Sequence, residues 1–486
     1  MAPQQPTHFP PFRGKARGKP RGRSLAPDAL DALRQLLGDE REQPQRRQRD
    51  LLIEHLHAIQ DALGHLPLTH LRALAAYMNL PMAEVYETAT FYAHFDVIHD
   101  DQSPPPALTL RVCDSLSCQL AGADALRNAL AVGTDPAEVR VLRAPCMGRC
   151  DTAPVVEVGH YHLGHASVER VQAAIAADHI HPEPLDWPRL DAYRQTGGYA
   201  LLSACRAGEV SVESLMDTLE KANLRGLGGA GFPTFKKWFF VRAEAGPRYC
   251  AINADEGEPG CFKDRAIMDH DPHSLLEGMI LSSYSTGAPR GFIYLRYEYP
   301  ETQALLEKAI EDAASANLLG ENILGVDGFN FTIRIIRGAG AYICGEEGSM
   351  LNSMEGKHPF PRNRPPFPVT HGFEDLPTVV NNVETLAATS HIAREGAEWY
   401  CGLGLGEHAG TKVISLSGDI QRPGNYEVPF GFSLQTLLHE WAGGPREGRT
   451  IQAVTMAGLS GGFLAGDDLE VTLDEPCIRA KGSFLG

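Results

Sequence analysis

The chain has 486 residues, 43% of them hydrophobic and 22% charged, with a formal net charge of −17. These values fit a globular protein with several cored domains and exclude a disordered or fibrous one. The acidic balance argues against nucleic-acid binding, and with no apolar run near the ~18 residues of a membrane span, direct membrane insertion is not expected.

Residues 1–45 read as a basic tail, with Arg13, Lys15, Arg17, Lys19, Arg21 and Arg23 among prolines and glycines and no acidic residue before Asp28. Such a segment has little to bury and is expected to be solvated and disordered; a docking arm and an organelle transit peptide are the other readings. Residues 46–100 predict a helical bundle. LLIEHLHAIQDAL repeats apolar residues at three and four, and THLRALAAYM and MAEVYETATFYAHF follow, divided by Pro67 and Pro81. The QSPPP stretch at 102–106 is a linker, since consecutive prolines suit neither helix nor sheet interior.

The period changes within residues 101–185. ALTLRV predicts a strand ending on Cys113, a helix follows over about Gln119 to Leu130, and VRVLRA predicts a strand ending near Cys146. VVEVGHYHLG predicts a hairpin turning at Gly159, and ASVERVQAAIAA a closing helix. This order suits a thioredoxin-like sandwich. Residues 186–400 predict an α/β domain, with a helix from Ser211 to Asn223, strands YCAIN, FIYLRY and FTIRIIR, and helices such as QALLEKAIEDAA. Residues 401–486 predict a β-grasp-like module: two strands around a turn at Arg422, Pro423 and Gly424, a helix in SLQTLLHEWAG, and no further helix before KGSFLG. The expected fold class is multidomain α/β.

Cys113 and Cys118 in CDSLSC and Cys146 and Cys150 in CMGRC form two close pairs separated by 27 residues. Each short loop can turn two sulfurs toward a metal, and two loops can close a cage; four thiolates are what a [2Fe–2S] cluster requires. Structural zinc also accepts four cysteines, usually at C-x₂-C to C-x₄-C spacing. Disulfides fit poorly, because the other six cysteines are scattered and no signal peptide opens the chain, so a reducing cytoplasm is expected.

Three further stretches carry chemistry. Gly226, Gly228 and Gly231 satisfy G-x-G-x-x-G, but a helix precedes them where a Rossmann loop needs a strand. The glycines still permit close backbone approach to a planar, phosphorylated ligand, with Lys237 as a nearby cation; a tightly packed structural loop is the bland alternative. Asn253-Ala-Asp-Glu-Gly-Glu258-Pro follows a predicted strand, so Asp255, Glu256 and Glu258 can accept hydrogen bonds from ribose or ribityl hydroxyls, hold a divalent cation, or be solvated surface charge. GAGAYICGEEGSMLNSMEG puts Glu346 and Glu347 at a helix start, and Asn381 and Asn382 precede a helical run, where amides can hold a phosphate.

Taken in order, RGLGGAGFPTFKKW, NADEGEPGCFKDR, GAGAYICGEEGSMLNSMEG, PPFPV and NNVETL closely resemble the FMN-binding, NADH-oxidising flavoprotein subunit of respiratory complex I. TFYAHF, CDSLSC and CMGRCDTAPVV resemble the [2Fe–2S] subunit that partners it, so that residues 46–486 look like a fusion of the two, with the β-grasp-like module of the SLBB type. The resemblance implies that Gly226, Gly228, Lys237, Asn253, Asp255, Tyr342, Gly345, Glu346, Asn381 and Asn382 contact FMN. It implies that Phe232, Phe240 and Phe367 flank the nicotinamide nucleotide, although by type alone these are ordinary core residues, and that Glu256, Glu258 and Glu347 line the dinucleotide side. Hydride transfer between NAD(H) and FMN needs stacking and orientation rather than an acid–base pair.

Two departures stand out. Leu227 and Phe235 occupy positions where the complex I pattern has arginine and glycine. The family's following domain carries a C-x-x-C-x-x-C motif for a [4Fe–4S] cluster; this chain stops before it, and Cys477 alone cannot substitute. The fusion resembles the diaphorase (beta) subunits of NAD-dependent formate dehydrogenases, which implies a partner subunit carrying molybdopterin and iron–sulfur clusters. Diaphorase subunits of NAD-reducing hydrogenases, complex I itself, and a truncated assembly subunit without turnover are the alternatives.

Overall fold

A computed structural model describes residues 25–486. The cationic stretch Arg13 to Arg23 lies outside the described residues. The remainder of the expected tail is corrected: Pro27–Leu37 is a helix with Ala29, Leu33 and Leu37 buried along one face. The four-residue spacing is an apolar stripe that a composition-based reading overlooks. Its end is fixed by Tyr77, whose hydroxyl donates to the Gly38 carbonyl at 2.9 Å.

Helices Leu52–Leu63, Leu68–Tyr77 and Met82–Phe91 follow. Pro67 and Pro81 stand at the N-caps of the last two, where a missing N–H costs nothing. Short strands β1 (Leu66–Pro67) and β2 (Val97–Ile98) pair in parallel and close the unit.

The next module is a four-stranded sheet made of β3 (Leu108–Cys113), β4 (Val139–Ala144), β5 (Val156–Val158) and β6 (Tyr161–Leu163), in the order β4-β3-β5-β6. Only β3 and β4 run parallel. The single helix expected over Gln119–Leu130 is two, Leu116–Leu120 and Ala123–Gly133. Gly122 divides them at φ +90°, a conformation that glycine adopts without steric cost. Cys118 therefore sits on a short helix of its own, beside Cys113 at the strand end.

The central sheet is all parallel. Its strands are β7 (Tyr249–Ala254), β8 (Arg290–Leu295), β9 (Thr332–Arg337) and β10 (Thr378–Asn382), in the order β10-β7-β8-β9. Alternate residues of a strand face opposite sides. Cys250, Ile252, Ala254, Ile293 and Val379 enter one core with helices Pro272–Thr286 and Val383–Glu395. Tyr249, Ala251, Phe292, Tyr294, Ile336 and Val380 enter the other, formed largely by the amino-terminal helices. A parallel sheet needs both faces covered, and here one cover comes from a segment some 200 residues upstream.

The carboxyl-terminal module has two antiparallel pairs, β11 (Thr411–Leu416) with β12 (Gly424–Pro429) and β13 (Ala453–Thr455) with β14 (Phe463–Ala465). SLQTLLHEWAG begins as a helical turn capped by Ser433 and widens into a π-helical segment at Leu437–Trp441. Contrary to expectation a further short helix, Glu475–Ala480, follows, capped by Asp474, which accepts from the Cys477 N–H at 2.9 Å. Among the described residues, no helix is long and apolar enough to cross a membrane.

Candidate functional site

The carboxyl ends of β7 and β10 lie side by side, with Asn382 in register with Asn253 and Asn381 with Ile252. In open α/β sheets this is where ligands bind. Asn253 donates from Nδ2 to the Gly345 carbonyl at 2.7 Å and accepts from the Asp255 N–H at 3.2 Å. A Cβ on Gly257 would lie 3.4 Å from both Asp255 Oδ2 and Tyr342 Cδ2, so Asp255, Tyr342 and Gly345 form one wall. Burial pushes the Asp255 carboxyl up to about 7, against the pull of Arg296.

The glycine loop closes the opposite side. The Gly226 N–H donates to the Phe232 carbonyl at 2.9 Å, the Leu227 N–H to Thr385 Oγ1 at 2.9 Å, and Lys412 Nζ reaches the Leu227 carbonyl at 2.9 Å. A Cβ on Gly228 would stand 3.0 Å from Asn382 Cβ, and Gly229 and Gly231 take φ of +100° and +62°. Asn381 is buried, and its Nδ2 has no hydrogen-bond partner. An orphaned buried amide costs about 1–3 kcal/mol unless a ligand atom meets it. A glycine-rich loop beside an unmet donor fits a phosphorylated flavin.

The other expected contacts divide. Lys237 Nζ donates to the Val380 carbonyl at 3.0 Å under β10, and burial lowers its pKa while Glu347 opposes that shift. Glu346 caps helix Glu347–Met354 by accepting from the Ser349 N–H at 2.9 Å, and both Glu346 and Glu347 (3.0 Å) pair with Arg364. Asn382 caps Val383–Glu395 and donates to Asp264 at 2.6 Å, so it borders the cradle mainly through its carbon atoms. Phe232, Phe240 and Phe367 are 42%, 44% and 52% exposed, which places them at the surface and not in a core.

The acidic loop departs from expectation at Glu256. Its oxygens accept from the N–H groups of Asp264 (2.7 Å) and Arg265 (3.0 Å), from Tyr299 Oη (2.9 Å) and from Cys261 Sγ (3.4 Å). With its acceptor capacity taken up, Glu256 fixes the loop. Glu258 accepts from the N–H groups of Leu459 (2.7 Å) and Ser460 (3.2 Å) and from the Tyr342 hydroxyl, bringing the carboxyl-terminal module to the site.

Cys113, Cys118, Cys146 and Cys150 are all buried. Cys146 and Cys150 Sγ are 3.4 Å apart, and Cys113 faces both Cys118 and Cys146, so the four thiols adjoin. No three His, Cys, Asp or Glu side chains among the described residues are placed around one point as ligands of a single ion. A buried set of four thiols in two pairs suits a two-iron cluster. Phe262, fully buried, packs on Cys146 and Cys150; its N–H donates to Ser415 at 3.0 Å and its carbonyl accepts from Asn425 at 3.1 Å, so three modules meet at one residue.

A cavity of about 730 Å³ is lined by Asp255, Glu258, Tyr342 and Arg296 together with Asp114 and Cys146. Arg296, Lys263 and Lys412 went unnoticed in the sequence. Lys263 is buried between Asp264 and Glu384, 2.7 Å from each. Arg296 left a trace only as a residue inside the predicted strand FIYLRY. Lys263 lay inside NADEGEPGCFKDR without a role being assigned to it.

Strand-end cradle and thiol cage together define a flavin- and iron–sulfur-containing electron-transfer protein. Residues 219–391 match the Nuo51 FMN-binding domain family and residues 39–178 the thioredoxin-like [2Fe–2S] ferredoxin family. A component of the NADH-quinone oxidoreductase of Rhizobium meliloti is 48% identical over 298 residues, 61% of this chain and 70% of that protein. The NAD-reducing hydrogenase HoxS subunit alpha of Cupriavidus necator is 36% identical over 472 residues, 90% of this chain and 77% of that protein. A crystal structure of an air-oxidised NAD⁺-reducing [NiFe]-hydrogenase superposes with a TM-score of 0.75 at 34% identity, covering 89% of this chain and 76% of that one. The chain belongs to this family of NAD-dependent FMN oxidoreductase subunits, with FMN, a [2Fe–2S] cluster and NAD(H) as its cofactors and substrate.

Proposed function

We propose that the chain is a diaphorase module that passes electrons between NAD(H), FMN and iron–sulfur clusters inside a larger enzyme. The observation that carries this reading is a cavity lined by Asp255 and Tyr342, of the wall at the strand ends, and by Cys146, one of the four clustered cysteines. FMN, when bound, supplies the chemistry by exchanging a hydride with the nicotinamide and single electrons with iron–sulfur centres. The chain's own residues bind and orient. Asn381 Nδ2 would meet a polar atom of the flavin phosphate or ribityl chain, and Gly226 and Gly228 would leave room for it. The exposed Phe232, Phe240 and Phe367 would flank the nucleotide, and Glu258 and Glu347 would line its side of the site. Asp255 holds or releases a proton near neutral pH. The division into modules at 46–100, 101–185, 186–400 and 401–486 belongs to this reading.

For the partner, the wording of VCDSLSC and TFYAHFDV favours a formate dehydrogenase, in which a molybdopterin subunit oxidises formate and electrons pass here to reduce NAD⁺. A second reading, the diaphorase of a NAD-reducing hydrogenase, draws on the similarity to the HoxS alpha subunit across both halves of the chain. NADH:ferricyanide activity of the purified chain with bound FMN tests the module; absence of both leaves an assembly role. A co-purifying molybdopterin subunit supports the formate reading, and a nickel–iron subunit overturns it. A Cys118→Ser variant that keeps an unchanged [2Fe–2S] EPR signal refutes the ligand set.

A further inference from the structure

Arg296 is the first residue past the carboxyl end of β8 and is 4% exposed. Nη1 donates to the Glu256 carbonyl at 2.6 Å, on the loop that carries Asp255. Nη2 donates to the carbonyl of Cys146, a cluster cysteine. Nε and Nη2 also reach Glu298 at 3.1 and 2.7 Å, and the guanidinium lies 5.0 Å from the centre of the Tyr299 ring. One buried cation thus touches the backbone of both redox sites, 40 and 150 positions away in the chain.

We propose that the charge of Arg296 sets the reduction potential of the [2Fe–2S] cluster from the flavin domain. The half-reaction is the uptake of one electron by the oxidised cluster, which adds a negative charge to a buried site. A guanidinium held against a ligand's carbonyl stabilises that charge, and low dielectric lets it act strongly. Glu298 counters part of the effect from the Nε/Nη2 edge, where it shares Nη2 with the Cys146 carbonyl. The loop does not depend on Arg296 for its place. Arg265 donates to the Gly148 carbonyl at 3.1 Å, and Arg149 pairs with Glu301 at 2.9 Å.

The inference rests on the diaphorase reading for its physiological electron donor, but its test does not need NADH. The FMN- and cluster-loaded protein is titrated with redox mediators and the reduced-cluster EPR signal is recorded. Arg296→Gln is expected to lower the reduced-to-oxidised ratio at fixed potential about tenfold, equivalent to about 59 mV for a one-electron couple. Arg296→Lys should fall between wild type and Gln, and Glu298→Gln should move the potential upward. Opposite signs are what a charge effect requires and a packing defect does not produce. Unmoved potentials, or shifts of the same sign in Arg296→Gln and Glu298→Gln, overturn the proposal. Should Arg296→Gln fail to assemble a cluster, the sign in Glu298→Gln decides alone. Lost NADH:ferricyanide activity with these shifts intact would sink the diaphorase reading and leave the role of Arg296 standing.

Discussion

A Cβ on Gly148 would lie 2.1 Å from the Tyr299 hydroxyl oxygen and within 2.8 Å of its ring. The CMGRC loop and the flavin domain therefore meet at a separation that only glycine permits. Tyr299 cannot retreat, because it is fully buried and its hydroxyl is bonded to Glu256 at 2.9 Å.

Gly148→Ala should consequently displace the cysteine loop. The overpacking costs about 1–3 kcal/mol, and the left-handed φ of +64° adds about 1–2 kcal/mol for an alanine. Iron and acid-labile sulfide are expected to fall while FMN is retained, read as the iron-to-flavin ratio with a lowered Tm. Full cluster content at an unchanged Tm would contradict the docking geometry.

Asn381→Leu should divide stability from binding. In protein stripped of FMN, the change removes a buried donor with no partner, which otherwise costs about 1–3 kcal/mol, so Tm should hold or rise. FMN affinity, followed by quenching of flavin fluorescence, should weaken at least about tenfold, or ~1.4 kcal/mol. An equal affinity would mean that the amide does not face the flavin.

Asp255 predicts a pH dependence. Its folded pKa of about 7 lies above the ordinary 3.8, so between these values the folded state binds more protons than the unfolded one. Stability then falls as pH rises through that window, by up to about 4 kcal/mol in flavin-free protein. Asp255→Asn should flatten this component in urea unfolding run from pH 4 to 8. A wild-type-like slope in the variant would assign the titration elsewhere.

The buried pair His57 and His94, with ring centres 5.1 Å apart, predicts the opposite slope. His57 bonds the Gly338 carbonyl at 2.9 Å, linking the amino-terminal helices to the flavin domain. Burial holds both histidines well below the ordinary 6.5, so the folded state binds fewer protons and stability is lost as pH falls below that value. The loss approaches about 1.4 kcal/mol per pH unit per histidine. Hydrogen exchange should show helices 52–91 opening first on acidification, and His94→Phe should reduce the slope. Uniform opening at pH 5 would exclude these histidines as the cause.

Much of the site was legible because its signals are local. Cysteine pairs, a glycine-rich loop and paired asparagines carry their chemistry within a few residues, and Asn253, Asp255, Gly345 and Asn381 do converge at adjacent strand ends. Glu256 misled for the converse reason. Its partners lie at 261–299, and nothing in NADEGEP shows that its oxygens are taken.

The sequence by itself determined the fold class, the thiol set and the glycine and asparagine cradle, since each depends on periodicity or short spacing. Tertiary structure alone decided that the amino-terminal helices cover one face of the central sheet, and that Phe262 meets both the cluster cysteines and the carboxyl-terminal module. It also decided that Arg296 joins Cys146 to the flavin loop. A buried face or a buried charge takes whatever partner the packed chain brings to it, and that partner can lie hundreds of residues away.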